Sequence, residues 1–121
     1  MSETPGYDRD NVFARILRDE IPSDRVYEDA EFIAFRDINP AAPTHIVLIP
    51  RGEPPVGPGG LEEGDASWAG RMLVAAARIA AQQGLAESGY RLVLNNGRDA
   101  GQEVPHIHMH ILGGGPLGPI A

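Results

Sequence analysis

Three of the four histidines in this 121-residue chain stand at alternate positions, His106, His108 and His110, in the run PHIHMHILGG from Pro105 to Gly114. Between them lie Ile107, Met109 and Ile111. Period-two alternation is that of a β-strand, whose successive side chains point to opposite faces. The run predicts a strand with one apolar face and one face of imidazole. Three chemistries suit such a face. Imidazole is the commonest metal ligand, but at about 3.4 Å per residue the outer two α-carbons stand about 13–14 Å apart, whereas zinc needs Zn–N bonds of about 2.0–2.1 Å. The chain has no cysteine and no carboxylate among the three, so metal is the weaker use. An imidazole can instead attack phosphorus and carry the group covalently before water removes it. Its flanking partners would then fix its tautomer and donate hydrogen bonds to the phosphate oxygens. Anion binding without chemistry is the third use.

The elements that must position this face can be read in order. Asp10 is the expected N-cap of a short helix from Asn11 to about Arg18, with Val12, Phe13, Ile16 and Leu17 on one face and Pro22 beyond its end. Arg25 to Glu28 and Phe32 to Asp37 read as a hairpin turning at Asp29 and Ala30. Phe35 and Asp37 then share a face, an aromatic beside a carboxylate. An ionised carboxylate only accepts hydrogen bonds, so it can hold vicinal hydroxyls such as those of a ribose. His45 to Ile49 is a buried strand ended by Pro50, and RGEPPVGPGG, 51 to 60, is loop. From Asp65 as N-cap, Trp68, Met72, Ala75, Ala76, Ile79 and Ala80 recur at helical spacing, and Gly84 supplies the stop. Arg91 to Asn95 is a further strand. The loop NNGRDAGQEV that follows can present backbone N–H groups to a phosphate and sets Gln102 and Glu103 beside the histidine strand. This order predicts an α+β fold, a mostly antiparallel sheet with one long and one short helix.

Composition narrows the class. A net charge of −7 with ten basic residues, and no basic run, disfavours a nucleic acid polymer as partner while leaving a single nucleotide open. No stretch approaches the 18 or so apolar residues of a membrane span, and the start MSETPGYDRDN has no signal-peptide pattern. The expectation is a cytoplasmic protein without membrane association. Residues 1–10 read as a mobile N-terminal tail and 11–121 as one domain.

The pattern His-apolar-His-apolar-His-apolar-apolar at 106 to 112 resembles the motif of the histidine triad (HIT) nucleotide hydrolases and transferases. With Gly113 and Gly114, AGQEVPHIHMHILGG, FRDINPAAPTHIVLIP and FARILRDEIPSDRVYED, the chain is similar to the Hint branch, the purine nucleoside phosphoramidases in their bacterial form, from about Asn11 to Pro119. The resemblance implies a homodimer that hydrolyses the P–N bond of purine nucleoside 5′-phosphoramidates, with no cofactor and no metal. It implies His108 as nucleophile, His110 and the amide of Val104 or Glu103 at the phosphate oxygens, and His106 and His45 fixing the tautomer and orientation of His108. Phe13 and Ile16 would grip the base and Asp37 the ribose, with Phe35, Ile38, Asn95, Gly101, Gln102, Glu103 and Val104 also at the substrate. Dinucleoside polyphosphate hydrolysis, or nucleotide binding with little turnover, are the alternatives. Glu103 stands where animal relatives carry serine, Pro105 where an aromatic is frequent and Gly115 where arginine is usual.

Overall fold

The computed structural model describes residues 3–120 of the chain. Its elements are α1 (Val12–Leu17), β1 (Arg25–Glu28), β2 (Phe32–Arg36), β3 (Thr44–Pro50), α2 (Ala66–Gln82), β4 (Tyr90–Val93) and β5 (Met109–Gly113), with short 3-10 turns at Pro58–Gly60, Glu63–Asp65 and Arg98–Ala100. The five strands form one antiparallel sheet in the order β1-β2-β3-β5-β4. This is the expected α+β architecture.

The sheet is covered on both faces, which explains why β2 and β3 read as nearly continuous apolar runs. Phe32, Ala34, Ile46 and Leu48 point to one side and pack with Trp68, Met72, Ala76 and Ile79 of α2. Ile33, Phe35, Val47 and Ile49 point to the other and pack with Phe13 and Ile16 of α1. Ile107, Met109 and Ile111 all join the α2 core, so the alternation places the imidazoles on the α1 face. A buried side chain of this size contributes about 1.5–3 kcal/mol. The three apolar residues between the histidines therefore hold the histidine segment to the sheet.

Several boundaries differ from the sequence reading. The N-cap of α1 is Asn11, not Asp10: Asn11 has extended backbone (φ −65°, ψ 154°) and its Oδ1 accepts from Ala14 N at 2.9 Å, while the Asp10 N–H is taken by Asp8 Oδ1. Asp65 is the N-cap of α2 as expected but makes no side-chain cap bond; its carboxylate accepts from Trp68 Nε1 (2.8 Å) and Glu62 N (2.9 Å) and so closes the preceding 3-10 turn. Ladder pairing in β5 begins only at Met109, because β3 pairs it from Leu48 to Thr44; His106 and His108 lie just before it. β4 ends at Val93, leaving Asn95 in the loop. The first two residues of the expected tail lie outside the described residues. Of the rest, Thr4 N donates to Glu53 O at 3.0 Å and the Tyr7 hydroxyl reaches His106.

Candidate active site

All four imidazoles gather at the sheet's α1 face, and hydrogen-bond accounting assigns the protons. His106 is fully buried. Its Nε2 lies 2.9 Å from the Pro50 carbonyl, which can only accept, so Nε2 carries the proton and Nδ1 accepts from the Tyr7 hydroxyl. His108 Nδ1 lies 2.8 Å from the main-chain carbonyl of His106, so Nδ1 carries the proton and Nε2 keeps its lone pair. Among the described residues no buried side-chain nitrogen or oxygen lacks a partner, so the unpartnered Nε2 of His108 reaches the surface of the cleft it lines.

His45 and His110 form a second relay. His45 Nδ1 accepts from Ala41 N at 3.0 Å, which leaves the proton on Nε2 to be donated to His110 Nδ1 at 2.8 Å. His110 therefore carries its proton on Nε2, as a donor. The register explains the meeting: His110 pairs with Val47, and His45 stands two residues earlier on the same face of β3, a diagonal within reach of long side chains. His45, expected to act on His108, hydrogen-bonds His110 instead, and the group of His106 that meets His108 is its main-chain carbonyl.

Burial keeps these rings neutral. It lowers His106 to about 4 against a raising effect of the Pro50 carbonyl, and lowers His110 to about 4 with further lowering from His108 and His45. His108 and His45 are also lowered by burial, opposed for His108 by the His106 carbonyl and then Asp37, and for His45 by Asp37.

A cleft of about 500 Å³ opens beside His108 and His110. One wall is apolar, made by Val12, Phe13, Ile16, Ile21, Phe35 and Val47, and the rim carries Asp37, Ile38, Asn95, Gly101, Glu103 and Val104. Phe13 stands edge-on to His108 with centroids 4.9 Å apart. Of the residues expected at the substrate, Phe13, Ile16, Phe35, Asp37, Ile38, Asn95, Gly101, Glu103 and Val104 all line this cleft. Gln102 does not. Its Oε1 accepts from Gly97 N (2.8 Å) and its Nε2 donates to Val56 O (2.7 Å) and Val104 O (3.0 Å), so the amide braces the loop from behind. Sequence reading missed Val12, Ile21, Pro22, Ser23, Arg36, Asn39 and Val47; only Val12, on the helix of Phe13, carried a signal. A larger depression of about 800 Å³ lies between the 55–60 and 96–102 loops, but it contains no imidazole.

Asp37, His45 and His110 bring potential ligand atoms within 4.8 Å of one another. A cation there would need the lone pair of His45 Nε2. That forces a proton onto Nδ1, where it faces the Ala41 N–H, two donors at 3.0 Å. The hydrogen bonds present thus oppose a metal at this position.

An antiparallel sheet that sets alternating imidazoles, one with a free lone pair and one with a free N–H, against an apolar cleft defines a class of α+β proteins with a histidine-lined site. Within that class the chain belongs to the HIT domain family, which it matches over residues 18–117. It is 54% identical over 112 residues, 92% of either chain, to the purine nucleoside phosphoramidase of Escherichia coli K12. Among solved structures, a HIT family hydrolase from Clostridium thermocellum is similar with a TM-score of 0.87 at 42% identity, covering 93% of this chain and 96% of that one. A HIT family hydrolase from Legionella pneumophila gives 0.85 at 41%, covering 88% and 95%. No helix among the described residues is long and apolar enough to cross a membrane.

Proposed function

We propose that the protein is a cytoplasmic hydrolase that cleaves the P–N bond of purine nucleoside 5′-phosphoramidates through a nucleotidyl-histidine. The observation that carries this reading is the tautomer of His108. With Nδ1–H held by the His106 carbonyl at 2.8 Å, the lone pair of Nε2 is presented to the cleft. It forms a bond to phosphorus as the bond to the amine nitrogen breaks, and the departing amine takes a proton from Glu103 or from water. Water then attacks phosphorus, the bond to Nε2 breaks, and the nucleoside monophosphate leaves. His110 donates its Nε2–H to a non-bridging oxygen as charge develops. The apolar wall of Phe13, Ile16 and Phe35 stacks a purine, and Asp37 accepts from the ribose hydroxyls. A single unpaired-lone-pair imidazole is what a nucleophile needs and what a simple binder does not, which favours catalysis over binding alone.

The test is adenosine 5′-phosphoramidate against a dinucleoside polyphosphate, with the protein adduct trapped by rapid acid quench and mapped by mass spectrometry. Adenylation of His108 with preferred turnover of the phosphoramidate is expected. Full turnover by His108→Gly would overturn the nucleophile assignment, and preference for the polyphosphate would overturn the substrate.

A homodimer belongs to the same reading. β4 is a sheet edge, and Leu73 and Val74 of α2 are half exposed, so an edge and an apolar helix face are available to a second copy. Elution near 26 kDa, about twice the 12.9 kDa chain, is expected; a monomer at micromolar concentration contradicts it.

A further inference from the structure

The N-terminal segment makes a contact that the proposed reaction has not used. We propose that Tyr7, set by Asn11, is a positioning residue of the histidine triad, holding His106 in the tautomer and place from which its carbonyl fixes the nucleophile His108. This rests on the assignment of His108 as nucleophile.

The geometry is a continuous chain of donors. Asn11 Nδ2 donates to the Tyr7 hydroxyl oxygen at 2.8 Å and to Asp8 O at 2.8 Å. The Tyr7 O–H then donates to His106 Nδ1 across 99 positions of sequence. His106 Nε2–H donates to Pro50 O at 2.9 Å, and the His106 carbonyl receives His108 Nδ1–H at 2.8 Å. His106 is buried to 0% exposure, so its ring depends on its protein partners. An imidazole there is fixed by what binds each nitrogen, and among the described residues the group on Nδ1 is the Tyr7 hydroxyl. Removing it leaves a buried acceptor unpaired, a costly state that the ring can escape only by rotating or by taking a proton. Either response disturbs the Pro50 bond or the carbonyl on which His108 depends. Asn11 is also the cap of α1, through Oδ1 to Ala14 N, and the second residue of that helix, Phe13, touches His106 and His108 edge-on. One asparagine thus sets both the aromatic wall and the tyrosine. Burial raises the Tyr7 phenol above its ordinary pKa, against a lowering effect of Asn11, so the hydroxyl keeps its proton at neutral pH.

Two variants in the full-length chain test this. Tyr7→Phe removes only the hydroxyl. Asn11→Asp keeps a good N-cap but replaces the Nδ2 donor by a carboxylate oxygen, which draws the Tyr7 proton away from His106. In both, kcat for adenosine 5′-phosphoramidate is expected to fall about tenfold, the rate equivalent of about one hydrogen bond, with KM within about twofold. In both, the 15N shift of His106 Nδ1 is expected to move as its acceptor bond from the Tyr7 hydroxyl is lost. The nitrogen shifts are read without substrate, so failure of the phosphoramidase reading appears as an inactive wild type with the tautomer responses intact. Unchanged His106 and His108 nitrogen shifts in the variants overturn the proposal, whatever happens to stability. So does a wild-type kcat in either one. Should Tyr7→Phe not fold, Asn11→Asp carries both readouts.

Discussion

His45 Nε2 lies 2.8 Å from His110 Nδ1, although 65 positions of sequence separate the two residues. With Ala41 N bound to the other His45 nitrogen, the pair has one consistent proton arrangement, and it makes His110 an Nε2–H donor toward the cleft. Replacing His45 with Ala frees His110 to hold its proton on either nitrogen. The expected result is a fall in kcat of about 10- to 100-fold with little change in nucleotide affinity. Steady-state kinetics beside calorimetric titration of adenosine monophosphate checks it; a matched loss of affinity would mean that His45 shapes the pocket instead.

The buried imidazoles tie stability to pH. His106 and His110 titrate at about 4 in the folded protein and at about 6.5 in an unfolded chain. Between those values the unfolded state binds more protons. Their contribution is therefore complete above pH 6.5 and is lost as pH falls toward 4. For the fully buried His106 the loss is on the order of 2–3 kcal/mol. Thermal unfolding from pH 7 to pH 4 should show a steadily falling Tm, and ring 15N titration of the native protein should show no inflection near 6.5 for either residue. An inflection there would contradict the burial argument.

Glu103, on the 96–105 loop, lines the cleft. As proton donor to the departing amine it would act on chemistry rather than on binding. Glu103→Gln is expected to change the pH profile of kcat while leaving nucleoside monophosphate affinity within about twofold. A pH profile superimposable on that of the unmodified protein removes the acid role.

Asp37 has one carboxylate oxygen held by Asn39 N at 2.8 Å, while the other stands 3.5 Å from His45 Nε2 on the cleft side. If it receives the ribose hydroxyls, Asp37→Asn should weaken ribonucleotides by about tenfold, the effect of one charged hydrogen bond. The 2′-deoxy substrate should lose less. Equal losses for both sugars would show that Asp37 acts on the His45–His110 pair and not on the ribose.

Ile111 is fully buried between β3, β4 and the α2 core. Ile111→Ala should cost about 2–5 kcal/mol by removing buried volume. Because its neighbour His110 is fixed by the same strand, the cavity should also loosen the His45–His110 bond and lower kcat. Urea unfolding gives the first quantity and kinetics on the folded fraction the second. A stable, fully active variant would show that the strand is held mainly by its ladder hydrogen bonds.

The amino-acid sequence determined the local decisions. Alternation from His106 to Ile111 fixed which side chains face the α2 core, since period two leaves no other arrangement. Helical spacing from Trp68 to Ala80 fixed the long helix, and the prolines and glycines from Arg51 to Gly60 its preceding loop. Most of the cleft's lining was legible for the same reason, because Phe13 and Ile16 share a helix face and Phe35 and Asp37 share a strand end. Tertiary structure alone decided which groups share protons. Which nitrogen of His108 is free depends on where the His106 carbonyl points, and which ring His45 meets depends on the register between β3 and β5. Gln102 turned to Val56, and Tyr7 reached His106, through contacts between segments far apart in the chain. Such pairings carry no periodicity, so local spacing does not disclose them; they follow from how the sheet brings its strands and loops together.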